Sequence, residues 1–204
     1  MPEGVDERID ALARRGVVVL RGERQARARP ARILPGPSPR YGARRDNGAS
    51  VYLRDELIYR DLIDHDLYRE VLTRCVESGC GVPVLCAFDV AYALERDRVH
   101  HDVVSIYYRN IIYIDTFEEI DVDSNKISIY FPNWDSKRNF DEVYGPEFGE
   151  RLYVTCAGDE WLDFMNLGID KGSGIRHLAE HLASSSPISP PSATPITTSP
   201  CSTS

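Results

Sequence analysis

The chain has 204 residues and a mass of 23.0 kDa, which is enough for one domain with a smaller insert. Its 42% hydrophobic and 27% charged residues are typical of a globular protein. The sequence has no long apolar run and no apolar leader, so we expect neither a membrane partner nor a secretory signal. The net charge of −8 argues against nucleic acid as a partner, and five cysteines without framework spacing predict reduced thiols in a cytoplasmic setting.

The first 60 residues combine regular elements with one irregular segment. Spaced apolar residues predict a helix over 5–15, and an apolar strand follows at 17–20. Residues 21–45 carry eight arginines and one acid and show no periodicity, so we predict an irregular basic segment there. Beyond it, two short strands are predicted at 50–53 and 56–59.

The remainder of the chain alternates between strands and helices and ends in a chargeless tail. The predicted elements are a helix at 67–78, strands at 82–88, 90–94 and 126–131, a helix at 135–149 interrupted by Pro146, strands at 151–156 and 160–166, and a helix at 171–182. Residues 96–123 fit either a helix or a strand. Residues 184–204 are mostly Ser, Pro and Thr and predict a disordered tail. This order indicates an α/β protein that carries an α+β module.

The strongest chemical candidate is the segment that opens the last helix, Gly168-Ile169-Asp170-Lys171-Gly172-Ser173-Gly174. Asp170 is a suitable N-cap, and the small residues after Lys171 leave the backbone approachable. A lysine in the first turn opposes the helix dipole unless an anion binds there, in which case ammonium and helix N-terminus act on the same group. The segment therefore favours a phosphate site, with a solvated lysine beside an ordinary cap as the alternative.

Two weaker patterns concern metal ions. His177-Leu178-Ala179-Glu180-His181 matches the H-x-x-E-H arrangement, which places two histidines one helical turn apart, as zinc binding requires. No His, Asp or Glu follows His181 to act as a third ligand, so a zinc hydrolase is a minor alternative. His100-His101-Asp102 and the acids at 115–123 could hold a cation but are more typical of a solvated surface.

The order of these segments resembles the Cof-type branch of the haloacid dehalogenase-like hydrolases, sugar-phosphate phosphatases with an α/β cap. The resemblance is carried by the helix and strand at 5–20, by Asn47-Gly48-Ala49 with its following hairpin, and by RLYVTCAGDEWLDFMNLGIDKGSGIRHLAEHL at 151–182. The last segment is similar to the family's hairpin followed by G-x-x-K-G-x-x-x-x-x-L-A-x-x-L.

The resemblance implies an α/β fold with an incomplete haloacid dehalogenase-like (Rossmannoid) core and an inserted α+β cap domain. The implied division assigns 1–50 to the N-terminal part of the core, with 21–45 irregular, 51–166 to the cap, 167–183 to the return to the core, and 184–204 to a disordered tail. The cap would close over the substrate and select it.

The resemblance also implies a magnesium-dependent phosphotransfer that acts on a small phosphorylated metabolite. In this family one aspartate attacks phosphorus, and a second aspartate two residues later acts as acid and base. Lys171 matches the lysine that offsets the charge on the transferring group, so it is the expected catalytic residue. Asn47 and Gly48 of the N-G-A element, and Gly172 beside the lysine, are the expected substrate-binding residues.

Three family elements are missing from their expected places. The D-x-D-G-T element belongs before the first helix, a Ser/Thr-Gly-Arg element after the first strand, and the G-D-x-x-N-D metal element after the last helix. We therefore expect the sequence as written to lack metal ligands and activity, and a non-catalytic sugar- or phosphate-binding module is the alternative.

The missing elements have a common explanation at the level of codons. A shifted reading of codons for residues 192–202 permits G-D-A-D-N-D-I-P-M-L, and one for Gly22–Ala26 permits A-S-G-R. We therefore hypothesise frameshifts near 20–46 and near 183.

Overall fold

A computed structural model of the chain describes residues 7–8, 11–12, 14–15, 20–22, 42–45, 49–53, 56–88, 90–118 and 120–185. Within them the strands form two sheets, one of four strands and one of six. Residues 7, 8, 11 and 12 are helical, as predicted. None of the helices in this described part of the chain is long and apolar enough to cross a bilayer.

The four-stranded sheet is formed by the first part of the chain. Its strands in spatial order are β1 at Leu20–Gly22, β2 at Gly42–Arg45, β3 at Ser50–Leu53 and β4 at Glu56–Arg60. β1 and β2 are parallel, whereas the other neighbours are antiparallel. The sequence predicts irregular structure over 21–45, but residues 21, 22 and 42–45 of that segment lie in strands. The predicted hairpin at 50–59 is present, and it pairs within this sheet, although the sequence-based division places it at the start of the cap.

The six-stranded sheet has the order β7-β6-β5-β8-β10-β9. Its strands are β5 at Val82–Ala87, β6 at Val90–Leu94, β7 at Ile111–Ile114, β8 at Lys126–Tyr130, β9 at Leu152–Cys156 and β10 at Trp161–Asn166. All neighbouring pairs are antiparallel except β6 and β7. The two predicted hairpins, β5–β6 and β9–β10, are confirmed, and the ambiguous segment around residue 111 is a strand.

Helix α1, His65–Ser78, has a well-defined cap at each end. The Asp64 side chain accepts hydrogen bonds from the backbone N–H groups of Asp66 and Leu67. At the other end Gly79 adopts a left-handed conformation with φ of 63°, and its N–H donates to the Cys75 carbonyl oxygen. The helix ends where the sequence predicts but begins at His65, two residues before the predicted start at residue 67, because Asp64 acts as its N-cap.

The remaining helices are short, apart from the last. A 3₁₀ turn at Glu95–His100 leads into α2 at His101–Tyr107, so this stretch, which the sequence left open, is helical. The predicted helix at 135–149 consists of α3 at Ser136–Asn139, a π-helical turn at Phe140–Tyr144, and α4 at Gly145–Phe148. The last described element is α5, Lys171–Ser185, which is three residues longer than the predicted helix.

The π-helical turn is explained by the residues that follow it. Pro146 has no N–H to continue the α-helical ladder, and the preceding Gly145 N–H donates to the Phe140 carbonyl oxygen, five residues back. A Cβ atom on residue 145 would lie only 2.6 Å from that oxygen, so the close approach requires glycine.

The six-stranded sheet buries different residue types on its two faces. One face packs against α1 and the π-helical turn through a large apolar core that includes Leu72, Ile127 and Phe164. The opposite face carries a smaller cluster that α2 covers in part. Its members are Val82, Val84, Cys86, Ala91, Val104, Tyr108, Tyr130 and Trp161. Helix α5 packs separately, against β3 and β4 of the four-stranded sheet.

Candidate functional site

Two chain segments connect the sheets, and they lie side by side. Residues 61–64 lead from β4 to α1, and residues 167–170 lead from β10 to α5. The Asn166 side-chain amide donates to Asp61 Oδ2 at 2.7 Å and to the Leu62 carbonyl oxygen at 2.8 Å. This single amide therefore fixes the exit strand against the entry segment.

An apolar contact at the same junction joins two motifs that are distant in sequence. Ala49, Met165 and Ile169 form one buried cluster, and Tyr59 packs against it. Ala49 directly follows the predicted Asn47-Gly48 pair, and Ile169 lies two residues before Lys171. Ala49 and Ile169, which are 120 residues apart in sequence, therefore belong to the same buried cluster at this junction.

The start of α5 is held by a reciprocal pair of hydrogen bonds. Asp170 Oδ1 accepts from the Ser173 backbone N–H at 2.6 Å, and the Asp170 N–H donates to Ser173 Oγ at 3.0 Å. Hydrogen bonds from the backbone N–H groups of Ser173 and Gly172 lower the pKa of the Asp170 carboxyl. The predicted N-cap is thus confirmed. Asp170 therefore already occupies the backbone N–H groups of Gly172 and Ser173.

Of the predicted site residues, Lys171 and Gly172 lie in a described helix, whereas Asn47 and Gly48 do not lie among the described residues. Lys171 is the first residue of α5 and Gly172 the second. A Cβ atom on residue 172 would lie 3.1 Å from Asp170 Oδ1, so a side chain there would crowd the cap. Asn47 and Gly48 lie outside the described residues, and only their neighbour Ala49 shows where the element enters the fold.

Three polar side chains at the junction were not identified from the sequence. The Tyr59 and His177 rings stack with centroids 3.6 Å apart, and Tyr59 Oη donates to Asp61 Oδ1 at 3.4 Å. Burial raises the pKa of Asp61, against the opposing effects of the hydrogen bonds from Asn166 and Tyr59 and of the charge on His177. No motif marks Tyr59, Asp61 or Asn166, although Tyr59 and Asn166 are the last residues of predicted strands.

The described residues do not support the metal hypotheses. His177 is engaged with Tyr59 and lies 3.5 Å from Glu180. Across 56–88, 90–118 and 120–185, as in the other described segments, no group of three His, Cys, Asp or Glu side chains could hold an ion. Within these segments no third ligand accompanies the histidines of the H-x-x-E-H pattern, and no group of side chains fits a magnesium ion.

An apolar groove of about 300 Å³ lies elsewhere, between the π-helical turn and β9. Phe140, Pro146, Leu152 and Val154 are among its lining residues, and Asp141 is the charged residue in that lining. It contains no predicted site residue, and its one charge has the wrong sign for a phosphate.

Comparison with known proteins supports the family resemblance. A family profile described as haloacid dehalogenase-like hydrolase matches residues 44–186. No curated protein sequence matches the chain.

Several solved structures share the fold. A Eubacterium rectale protein is 19% identical with a TM-score of 0.70, and the match covers 85% of this chain and 66% of that one. A haloacid dehalogenase-like hydrolase from B. subtilis is 15% identical with a TM-score of 0.63, covering 87% and 71%. A HAD/COF-like hydrolase from Plasmodium vivax is 22% identical with a TM-score of 0.60, covering 72% and 51%. The chain thus spans about two thirds of the first of these structures and half of the last.

Proposed function

The chain belongs to the haloacid dehalogenase-like hydrolase family, and from that membership we propose that it is a Cof-type phosphatase chain for small phosphorylated metabolites such as sugar phosphates. The phosphate would bind at the junction of the two sheets, beside the start of α5. The six-stranded sheet with its helices would be the cap, and the four-stranded sheet with α5 the core. On this division the hairpin β3–β4 belongs to the core, and the cap begins after residue 60.

One observation carries the proposal: Ala49 and Ile169 lie in the same buried cluster with Met165. It brings the end of the N-G-A element and the Lys-Gly element to one place, although most of the chain separates them. A phosphate ester requires a cation and polar backbone groups that converge from more than one element. Lys171 supplies the cation in this proposal, and Asn47, Gly48 and Gly172 supply the neighbouring polar and backbone groups.

Binding of a phosphate ester and its hydrolysis require different residues in this family. Neither D-x-D-G-T nor G-D-x-x-N-D occurs in the 204 residues, and these elements supply the nucleophile and the metal ligands in the family. We therefore expect this sequence to bind phosphate esters without hydrolysing them. A non-catalytic binding module remains the second candidate, because the same lack of a nucleophile favours it.

Calorimetric titration of the purified chain tests the binding site. We expect inorganic phosphate and glucose 6-phosphate to bind, and Lys171→Ala to weaken both at least tenfold, because the variant removes the charge paired with the phosphate. Lys137→Ala is the matched control, since that lysine lies on α3 in an exposed ion pair with Asp141. Equal binding by the Lys171→Ala variant and the wild type would refute the site.

Turnover is measured separately, as magnesium-dependent phosphate release from p-nitrophenyl phosphate and hexose phosphates. We expect none from this chain. Magnesium-dependent release of phosphate by the wild type would refute the expected inactivity.

A further inference from the structure

Strand β7, Ile111–Ile114, lies at one edge of the six-stranded sheet. Among the strands that the structure describes, it pairs only with β6. All four of its residues are apolar or aromatic, so it carries neither the lysine nor the proline that commonly protects a sheet edge. Ile112 is 47% exposed, and Val99 in the neighbouring 3₁₀ turn is 81% exposed. This edge therefore combines a free side of the strand with exposed apolar side chains.

The pairing with β6 determines which backbone groups of β7 face outward. The Ala91 N–H donates to the Asn110 carbonyl oxygen at 2.8 Å, so residue 110 turns its backbone toward β6. Along a strand, residues whose N–H and C=O groups face one neighbour alternate with residues whose groups face the other side. Ile112 therefore also faces β6, whereas the backbone groups of Ile111 and Tyr113 point away from the sheet. These are the groups that a further strand would bind.

The charges that flank β7 are complementary when the strand meets a second copy of itself. Arg109 and Asp115 are both exposed, and neither forms an ion pair within the described part of the chain. A two-fold axis through Ile112 sets Ile111 opposite Tyr113 of the second copy and Arg109 opposite Asp115. An axis through Ile111 or Tyr113 would instead set Arg109 opposite an uncharged residue. The charges therefore favour the register centred on Ile112.

From this geometry we propose that β7 is a homodimer interface, in which two copies of the chain join their six-stranded sheets by antiparallel pairing about an axis at Ile112. Ile111 of each copy exchanges N–H···O=C hydrogen bonds with Tyr113 of the other, which satisfies the outward backbone groups. The two Ile112 side chains meet as a directly opposed pair. Two ion pairs between Arg109 and Asp115 flank the strands, and the two-fold symmetry limits the assembly to a dimer.

The other edge strand of this sheet, β9, is less suited to the same pairing. Arg151, which directly precedes it, already forms a two-pronged ion pair with Glu70, with both nitrogen–oxygen distances at 2.7 Å. Tyr153 of β9 is 46% exposed, almost the same as Ile112. The strand therefore provides a matched control position at an edge where we expect no pairing.

Sedimentation equilibrium of the full chain measures the proposed dimer. Because the paired segment is short, we expect weak association, with a Kd of about 10–100 µM. Ile112→Lys places two like charges directly opposite each other and should raise Kd at least about tenfold. Tyr153→Lys adds the same charge at an equally exposed position and should leave Kd unchanged. Circular dichroism checks that both variants keep the wild-type fold.

Exchange of the flanking charges tests the register. Arg109→Asp sets carboxylates opposite each other at both ends of the paired strands, and Asp115→Arg does the same with guanidinium groups. Each change should raise Kd about fivefold. The double variant Arg109→Asp/Asp115→Arg restores opposite charges without changing the net charge. We expect it to return Kd to within about twofold of the wild-type value.

The outcomes decide the proposal without involving the phosphate site, since none of these variants changes a residue proposed to bind phosphate. A wild-type chain that stays monomeric up to about 0.5 mM overturns the interface, whether the edge is then open or covered by another segment. A dimer that Ile112→Lys leaves unchanged overturns it too, because its contact lies elsewhere. Failure of the double variant to recover association rejects the antiparallel register on which the proposal depends.

Discussion

Replacing Asn166 with alanine should loosen the junction between the two sheets. The side-chain amide makes two hydrogen bonds, one to the Leu62 carbonyl oxygen and one to the Asp61 carboxylate. A neutral hydrogen bond contributes about 1 kcal/mol and one to a charged group about 1.5–3 kcal/mol. Because Asp61 is only half-buried, we take the lower end and expect Asn166→Ala to reduce the free energy of unfolding by about 2–3 kcal/mol.

Urea denaturation, followed by both circular dichroism and fluorescence, measures this change. Trp134 and Trp161 both lie in the part of the chain that forms the six-stranded sheet, so fluorescence follows that unit and circular dichroism follows the whole chain. Asn139→Ala is the matched control, because that amide makes one hydrogen bond, to the Asp135 carbonyl oxygen at 3.0 Å, and should cost about 1 kcal/mol. If Asn166→Ala costs no more than the control, the amide does not hold the connections together.

Three other predictions concern the junction, a turn and the gene. Burial raises the pKa of Asp61 above its ordinary value of 3.8, so the folded chain binds this proton more tightly than the unfolded chain. The free energy of unfolding should therefore fall as pH rises from about 4 through the raised pKa. The Asp61→Asn variant should lack this pH dependence in urea titrations. Gly81→Ala should cost about 2–3 kcal/mol, because φ is 155° and a Cβ atom would lie 2.6 Å from Ile129. Gly79→Ala, with open space around it, should cost about 1 kcal/mol in the same thermal or urea assay. Sequencing the DNA that encodes residues 15–204 should show reading-frame shifts near 20–46 and 183, and a single uninterrupted frame with unrelated codons would disprove them.

The regular elements were largely predictable because their signals are local. Alternation in Lys126–Tyr130 and the glycine stop at Gly79 depend only on neighbours along the chain. Segment 96–123 is ambiguous in sequence because its apolar residues fit both periods. Its first part is helical in the structure, where Val104 packs into the smaller cluster. The π-helical turn depends on the combination of Gly145 and Pro146, which the sequence indicated only as an interruption.

The candidate site was predictable in part for a related reason. Asp170 directly precedes the last helix, so its role as the N-cap follows from its position in the sequence. Lys126 and Asp163 form a buried ion pair although they are 37 residues apart, and each alternates with apolar neighbours in an ordinary strand pattern. Only the strand register, with Asp163 opposite Ser128, brings these charges together. Residues that gain their chemistry from strand pairing carry no local signal.

The hydrogen bond from Asn166 to Asp61 also indicates how the chain would tolerate deletion or replacement of the residues between them. Residues 62–165 lie between two residues that are in direct contact, because the Asn166 side-chain amide is 2.7 Å from Asp61 Oδ2. A short linker could therefore replace the whole excursion with little loop-closure entropy, and the excised unit would have neighbouring ends. Such a layout allows one insert to be exchanged for another without rearranging the host sheet.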